Sequence, residues 1–199
     1  VSGMKTKEDD PVKHVLVQDT HDTLLFFTNR GRVLPLTAYE LRPDTARGTR
    51  GVPVVNVIPL MDAERVNAII GTDSMHREDA YLVLATQSGS VKRVTLSAIS
   101  NIRRAGLIIM NLRGKDELVT ARLAVEDDDI IMVSRDGMSI RFPVSEIKAR
   151  LRAAGGVRGM DLRARPRDRI IYMGVATNQG KLLVISRRGY GKLTSLNRY

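Results

Sequence analysis

The sequence predicts an all-β fold assembled from repeated units, and three observations carry that expectation. An apolar run of strand length ending in a polar, glycine-containing turn recurs four times along the 199 residues. A second marker, rich in arginine and glycine, recurs between those turns. Stretches with helical periodicity are nearly absent.

The first element runs through Leu24 to Phe27, Thr28, Asn29-Arg30-Gly31 and Arg32-Val33. Its counterparts are Leu82 to Ala85 with Thr86-Gln87-Ser88-Gly89, Ile130 to Val133 with Ser134-Arg135-Asp136-Gly137, and Leu182 to Ile185 with Ser186-Arg187-Arg188-Gly189. Each predicts a β-hairpin, because glycine supplies the positive φ of a tight turn and the residues before it are polar. The turn glycines are 58, 48 and 52 residues apart, so the repeat is close to 50 residues long.

The second marker is Arg47-Gly48-Thr49-Arg50-Gly51, then Arg103-Arg104-Ala105-Gly106, then Gly155-Gly156-Val157-Arg158-Gly159. A strand is expected after each, at Val52 to Leu60, Leu107 to Leu112 and Met160 to Leu162. An acidic turn follows (Asp62 to Glu64, Asp116-Glu117, Asp168), and then a further apolar strand such as Arg65 to Ile70 or Ile170 to Val175. About four short strands per period is the content of a propeller-like blade. The expected layout is one domain over 1–199, with units at 21–77, 78–125, 126–177 and a partial 178–199. That is an incomplete array of about three to four four-stranded blades. Val144 to Arg152 alone has weak helical character, with Ser145 as a candidate cap, and is expected to form a single turn. Open strand edges in such an array make self-association a physical expectation.

Composition narrows the class. No apolar run approaches the ~18 residues of a membrane helix, the N-terminal residues lack signal-peptide zones, and there are no cysteines. A cytoplasmic location is therefore expected. Lys and Arg number 32 against 22 Asp and Glu, giving a net charge of +10 and a pI near 10.3. That balance is characteristic of nucleic-acid binders. Aromatic residues are only 4% of the chain and tryptophan is missing, which fits phosphate contacts on a duplex better than base stacking on single strands.

No catalytic constellation is legible. Gly174 to Gly180-Lys181 is one residue too long for a phosphate-binding loop and is followed by Leu182, not Ser or Thr. Gly189-Tyr190-Gly191 reads as a hairpin turn, and the three histidines share no metal-ligand spacing. The chain is expected to hold no cofactor and to perform no chemistry itself. Its basic residues do carry a pattern. Arg30, Arg32, Lys92, Arg93, Arg135, Arg141, Arg187, Arg188 and Lys192 flank the hairpin turns. Arg47, Arg50, Arg103, Arg104, Arg150, Arg152 and Arg158 accompany the second marker. With blades arranged about an axis, these positions are expected to form one curved cationic rim that grips the backbone of duplex DNA.

The motifs Thr20-His21-Asp22, Arg30-Gly31-Arg32-Val33, Ala46-Arg47-Gly48-Thr49-Arg50-Gly51, Gly89-Ser90-Val91-Lys92-Arg93, Arg103-Arg104-Ala105-Gly106, Gly156-Val157-Arg158-Gly159 and Gly189-Tyr190-Gly191-Lys192 resemble the C-terminal domain of the DNA gyrase A protein. The corresponding domain of topoisomerase IV is a more distant likeness. The resemblance implies a β-pinwheel whose rim bends and wraps DNA in support of ATP-dependent negative supercoiling. It also implies that the rest of the gyrase A protein, together with gyrase B, serves as partner, and that ATP and magnesium are used elsewhere in the enzyme. The family's Gln-Arg-Arg-Gly-Gly-type box is expected to precede Val1, so the 199 residues are expected to bind DNA with incomplete wrapping. From the residues alone, a second reading stays open: a propeller-like interaction scaffold whose basic rim meets an acidic protein.

Overall fold

The computed structural model describes residues 11–42, 51–177 and 179–199. Among them the chain is all-β, with five single 3-10 turns and no α-helix. The four expected hairpins are present. They are β1 (Thr23–Thr28) with β2 (Arg32–Thr37), β4 (Tyr81–Thr86) with β5 (Ser90–Thr95), β8 (Asp129–Ser134) with β9 (Ser139–Pro143), and β12 (Lys181–Ile185) with β13 (Gly191–Ser195). Their turn glycines Gly31, Gly89, Gly137 and Gly189 have φ of +72°, +92°, +87° and +84°, the left-handed region the turn requires.

Three further strands, β3 (Val66–Thr72), β7 (Leu118–Ala124) and β11 (Ile170–Ala176), pair antiparallel with β1, β4 and β8. They pack against one another in series, β3 on β7 and β7 on β11, and so form the inner edges of successive blades. The outer edges are closed by two-residue strands, β6 (Leu107–Ile108) and β10 (Val157–Arg158). Each crosses to the preceding sheet, giving the orders β3-β1-β2-β6 and β10-β5-β4-β7, followed by β11-β8-β9 and β12-β13. A complete blade thus takes three strands from one repeat and its fourth from the next.

Strand alternation distributes the core. On β4, Leu82 and Leu84 face the first sheet, while Val83 and Ala85 face the third. On β8, Ile130 and Met132 join the second sheet, and Ile131 and Val133 pack toward Leu182 and Leu196 of the last hairpin. Central strands buried on both faces read as unbroken apolar runs, which is why the hairpins are visible in the sequence.

The second marker behaves differently from the strand expectation. Val52 to Leu60 contains a 3-10 turn, Val54–Asn56, and puts Ile58 beneath Leu24, Phe26, Leu34 and Leu36. A donated strand exists only by pairing with a preceding sheet, and the described residues offer this segment none. In Leu107 to Leu112 the strand stops at Ile108, because Ile109 and Met110 turn inward and are fully buried. In the third repeat the strand is Val157–Arg158, inside the marker and ahead of Met160 to Leu162. The weak helical stretch is one 3-10 turn, Val144–Glu146, with Pro143 rather than Ser145 at its N-cap.

The joints between repeats are tight. The carbonyl of Gly31 accepts the amides of Ile109 and Met110 (2.8 and 3.1 Å), and that of Gly89 accepts those of Gly159 and Met160 (2.9 and 3.0 Å). A Cβ on Gly31 or Gly89 would run into the carbonyl oxygen of Met110 or Met160, whereas Gly137 has open space. Lys92 is fully buried at the second joint. Its ammonium donates to the carbonyls of Ile109 (2.6 Å), Arg152 (2.6 Å) and Ala154 (2.8 Å), tying two successive crossover segments to β5. Burial, with the nearby Arg150 charge, pushes Lys92 down to about 8.

Two outcomes follow. Gly89→Ala and Gly137→Ala share the left-handed strain of roughly 1–2 kcal/mol, but Gly89→Ala should lose at least about 1 kcal/mol more in urea melts, because it also opens a joint. Equal losses would contradict the joint. For Lys92, the unfolded chain keeps its proton up to the ordinary 10.5 while the folded chain releases it near 8. Stability should therefore rise with pH across that window. Lys92→Met should remove the rise, and urea melts at both ends of the window measure it.

Candidate nucleic-acid interface

The rim is set by the crossover segments. Because β3, β7 and β11 occupy the inner edges, β6, β10 and the loops leading into them lie outermost. These loops carry Arg103 and Arg104, then Arg150 and Arg152, with Arg158 on β10 itself, and all five are exposed. The second loop is clamped at both ends: the Arg150 amide donates to the Arg93 carbonyl (3.0 Å), and Lys92 holds the Arg152 carbonyl. Arg104 meets Glu40 at 3.1 Å with its side chain 70% exposed, and Arg158 meets Asp161 at 3.6 Å. Exposed pairs of this kind contribute about 0–1 kcal/mol and yield readily to a phosphate. Arg103, Arg150 and Arg152 have no carboxylate within ion-pair distance among the described residues.

The expected turn-flanking cations divide into two groups. Arg30, Arg135, Arg187, Arg188 and Lys192 are exposed; Arg30 donates to the Asp62 carbonyl (2.6 Å) and Arg135 pairs with Asp136 (3.1 Å). Arg32, Lys92, Arg93 and Arg141 point into the structure and are engaged there. Arg32 bonds Glu64 (2.6 Å) and the Ala105 carbonyl (2.9 Å). Arg93 bonds Glu126 (2.6 Å) and lies 4.5 Å from the Tyr81 ring centroid. Arg141, at the corresponding register position of the next blade, bonds Asp129 (2.6 Å) and the Leu196 carbonyl (2.6 Å). These four serve as internal ties between elements, unlike their expected place on the rim. Arg47 and Arg50 lie outside the described residues.

The acidic turns also have a repeated structural role. Glu64, Asp116 and Asp168 stand at corresponding positions one residue before the connection enters register with the hairpin. Glu64 accepts from the Thr28 hydroxyl (2.6 Å), Asp116 from Ser88 Oγ (2.5 Å) and its amide (3.0 Å), and Asp168 from the Ser134 hydroxyl (2.6 Å) and the Asp136 amide (3.0 Å). Burial alone would raise the Asp168 carboxyl; the Ser134 hydroxyl and the Asp136 and Arg169 amides outweigh it and leave it below the usual range.

One basic stretch lies outside the residues that the sequence pattern selects. Arg163, Arg165, Arg167 and Arg169 alternate through the third acidic turn and are all exposed. The alternation itself is the signal that could have found them. Arg113 and Lys115 occupy the preceding connection and are also exposed.

Among the described residues no three His, Cys, Asp or Glu side chains converge to hold a metal ion. Gly174 lies within β11 and Lys181 opens β12, so the near-match to a phosphate-binding loop leads from strand to strand and not into a helix. No helix of the described residues is long and apolar enough to cross a membrane.

Comparison with known proteins agrees with this architecture. A family model described as "DNA gyrase C-terminal domain, beta-propeller" matches residues 22–66, 80–124, 128–177 and 180–199. The DNA gyrase A protein of Dehalogenimonas lykanthroporepellens is 39% identical over 198 residues, covering 100% of this chain and 24% of that protein. Its counterpart from Staphylococcus aureus (strain MRSA252) is 40% identical over 201 residues, covering 100% of this chain and 22% of that protein. The chain thus spans about a quarter of the length of these relatives. The crystal structure of the C-terminal domain of DNA topoisomerase IV superposes with a TM-score of 0.79 at 27% identity, over 90% of this chain and 55% of that one. The DNA gyrase A C-terminal domain does so at 0.75 and 25%, over 98% and 64%. With all four repeats matched in sequence and in strand arrangement, the chain belongs to the DNA gyrase C-terminal domain family.

Proposed function

We propose that this chain is a module of a DNA gyrase A protein that binds duplex DNA through its phosphates and bends it around the outer rim. The observation that carries the reading is the placement of Arg103, Arg104, Arg150, Arg152 and Arg158 on the crossover loops and outer strand, exposed and at most weakly paired. Bending a 20–30 base-pair site by 40–90° costs on the order of 1–6 kcal/mol. Phosphate contacts and counterion release offset that cost, and a rigid scaffold avoids adding an ordering cost at the moment of binding. The clamps on the 150–154 loop supply that rigidity. Sequence preference is weak in this reading, because the described residues hold no α-helix to enter a groove and the rim cations stand on loops and a two-residue strand.

In the whole enzyme such a module would work with the remainder of gyrase A and with gyrase B, supporting ATP-driven negative supercoiling by chemistry performed outside these residues. ATP and magnesium would be held there too. Within the described residues β9 lacks a fourth strand, and Leu183, Ile185 and Leu193 of the last hairpin are about 60% exposed (58, 63 and 58%). These edges and faces fit further strands or a second copy, so self-association belongs to the same proposal.

Fluorescence anisotropy of a labelled duplex across salt tests the reading. The unsubstituted chain should give a log–log slope of roughly −0.9 per neutralised phosphate. Reversing Arg103, Arg104, Arg150 and Arg152 to Glu should make the slope shallower by about 3 units and weaken binding at least tenfold, alike for unrelated sequences. Reversing Arg93 and Arg141 should instead lower the melting temperature, since each breaks a largely buried pair. Salt-independent binding, or no binding to duplex, would favour the scaffold for an acidic protein.

A further inference from the structure

A basic cleft adjoins the rim at β10 and opens on the face formed by the hairpin tips. It has a volume of about 740 Å3. Its floor is the β4–β5 tip at Thr86 to Ser88, and its walls are the two connections that run from outer to inner strand, 110–116 and 155–169. We propose that this cleft takes phosphates of the same duplex, so that the DNA path leaves the rim at the junction of the second and third blades and crosses toward the tip face. The proposal rests on the DNA-binding reading above and extends it from the rim onto the tip face.

Charge is unevenly distributed inside the cleft. Three carboxylates line it, and each is already engaged. Asp116 is held by Ser88. Asp168 is held by the Ser134 hydroxyl and the Asp136 and Arg169 amides. Asp161 pairs with Arg163 (2.5 Å) and with Arg158 (3.6 Å). That leaves Arg113, Lys115, Arg167 and Arg169, all lining the cleft and exposed, with no carboxylate within ion-pair distance among the described residues. With Arg158 and Arg163, six cations face three carboxylates across the lining, a net charge of +3, and a concave cationic site attracts a polyanion more strongly than scattered surface charges do.

The lining also selects the kind of anion. No aromatic side chain is present, so bases have no stacking platform. Of its apolar residues Met110, Met160 and Leu162 are 1, 6 and 8% exposed, Leu112 and Val157 are half-buried and Pro166 is exposed, so an acidic peptide would find little large apolar surface to bury. A phosphodiester backbone needs neither. Arg158 joins the cleft to the rim directly, because it lines the one and sits on the outer strand of the other.

The site is particular to this junction. At the corresponding place one repeat earlier, one Arg65 nitrogen donates to both carboxylate oxygens of Glu117 (3.0 and 3.1 Å) and Arg30 is tied to the Asp62 carbonyl. The register position that carries Glu117 in one connection carries Arg169 in the next. A charge reversal at one repeat position converts a neutralised junction into a cationic one.

The chain contains no cysteine, so single cysteines can be introduced cleanly. Lys115→Cys, labelled with an aryl-azide photocrosslinker, should crosslink duplex DNA with the same salt dependence as binding. The same label at Asp127→Cys, exposed at the opposite end of the blades, should crosslink at least fivefold less. The variant with Arg113, Lys115, Arg167 and Arg169 all changed to Glu should shallow the salt slope by about 2–4 units and lose a patch of hydroxyl-radical protection that the rim variant keeps. A cleft variant with unaltered slope and footprint, or equal crosslinking from both cysteines, overturns the cleft while the DNA reading stands. An unsubstituted chain that shows no salt-dependent duplex binding overturns both. If the quadruple variant does not fold, the crosslinking comparison decides.

Discussion

The crossover joint is the constraint on which the rest depends. Two-residue strands have almost no intrinsic stability, and an isolated pair of ladder bonds cannot hold a long connection in place. β6 and β10 persist because three things converge on each crossover. The strand pairs with an outer edge, the turn glycine of the preceding hairpin accepts two amides just beyond it, and buried residues such as Met110 and Met160 seal the gap between sheets. At the second joint Lys92 adds a charged knot. Burying an ammonium is costly unless all its protons are taken, and three carbonyls take them. One of those carbonyls belongs to the crossover of the previous joint, so neighbouring joints are mechanically connected.

That architecture determines what the surface can do. A crossover strand must travel across the outer edge of its neighbour, and its leading loop is necessarily the outermost part of the blade. Placing arginines there leaves core packing undisturbed and puts them at the outer edge of successive blades. The carboxylates follow the opposite rule. Glu64, Asp116 and Asp168 are engaged inside the hairpin tips, while Glu126 and Asp129 bind the inward arginines. The net charge of +10 therefore understates the asymmetry, since much of the acidic complement is committed to internal bonds and much of the basic complement is not.

How much of this is legible in the sequence depends on which physical quantity a residue reports. Turn glycines and apolar runs report backbone conformation and two-faced burial, both local, and all four hairpins stand where Gly31, Gly89, Gly137 and Gly189 place them. The donated strands are blurred because two residues carry no periodicity; their position is fixed by the neighbouring sheet, which is not a local property. Basic residues are the least legible. Lys92 and Arg93 are adjacent on β5 and therefore point to opposite faces, yet both are covered, one by the crossovers and the other by Glu126 and Tyr81. Proximity to a turn tells which element they belong to and not what lies over them.

The same reasoning explains why the repeats are not interchangeable. Corresponding positions differ in charge without disturbing the fold, because the fold needs only the acid that holds the hairpin tip and the glycine that admits the crossover. Next to Glu64, Asp116 and Asp168 stand Arg65, Glu117 and Arg169, and the sign of that neighbour decides whether a junction closes on itself or remains cationic. A ring of equal blades would present the same potential everywhere and hold a polyanion without fixing its path. Unequal junctions on an equal scaffold can set a direction: in the proposed reading, a duplex lying across them would follow the cationic junctions at little cost to the structure beneath.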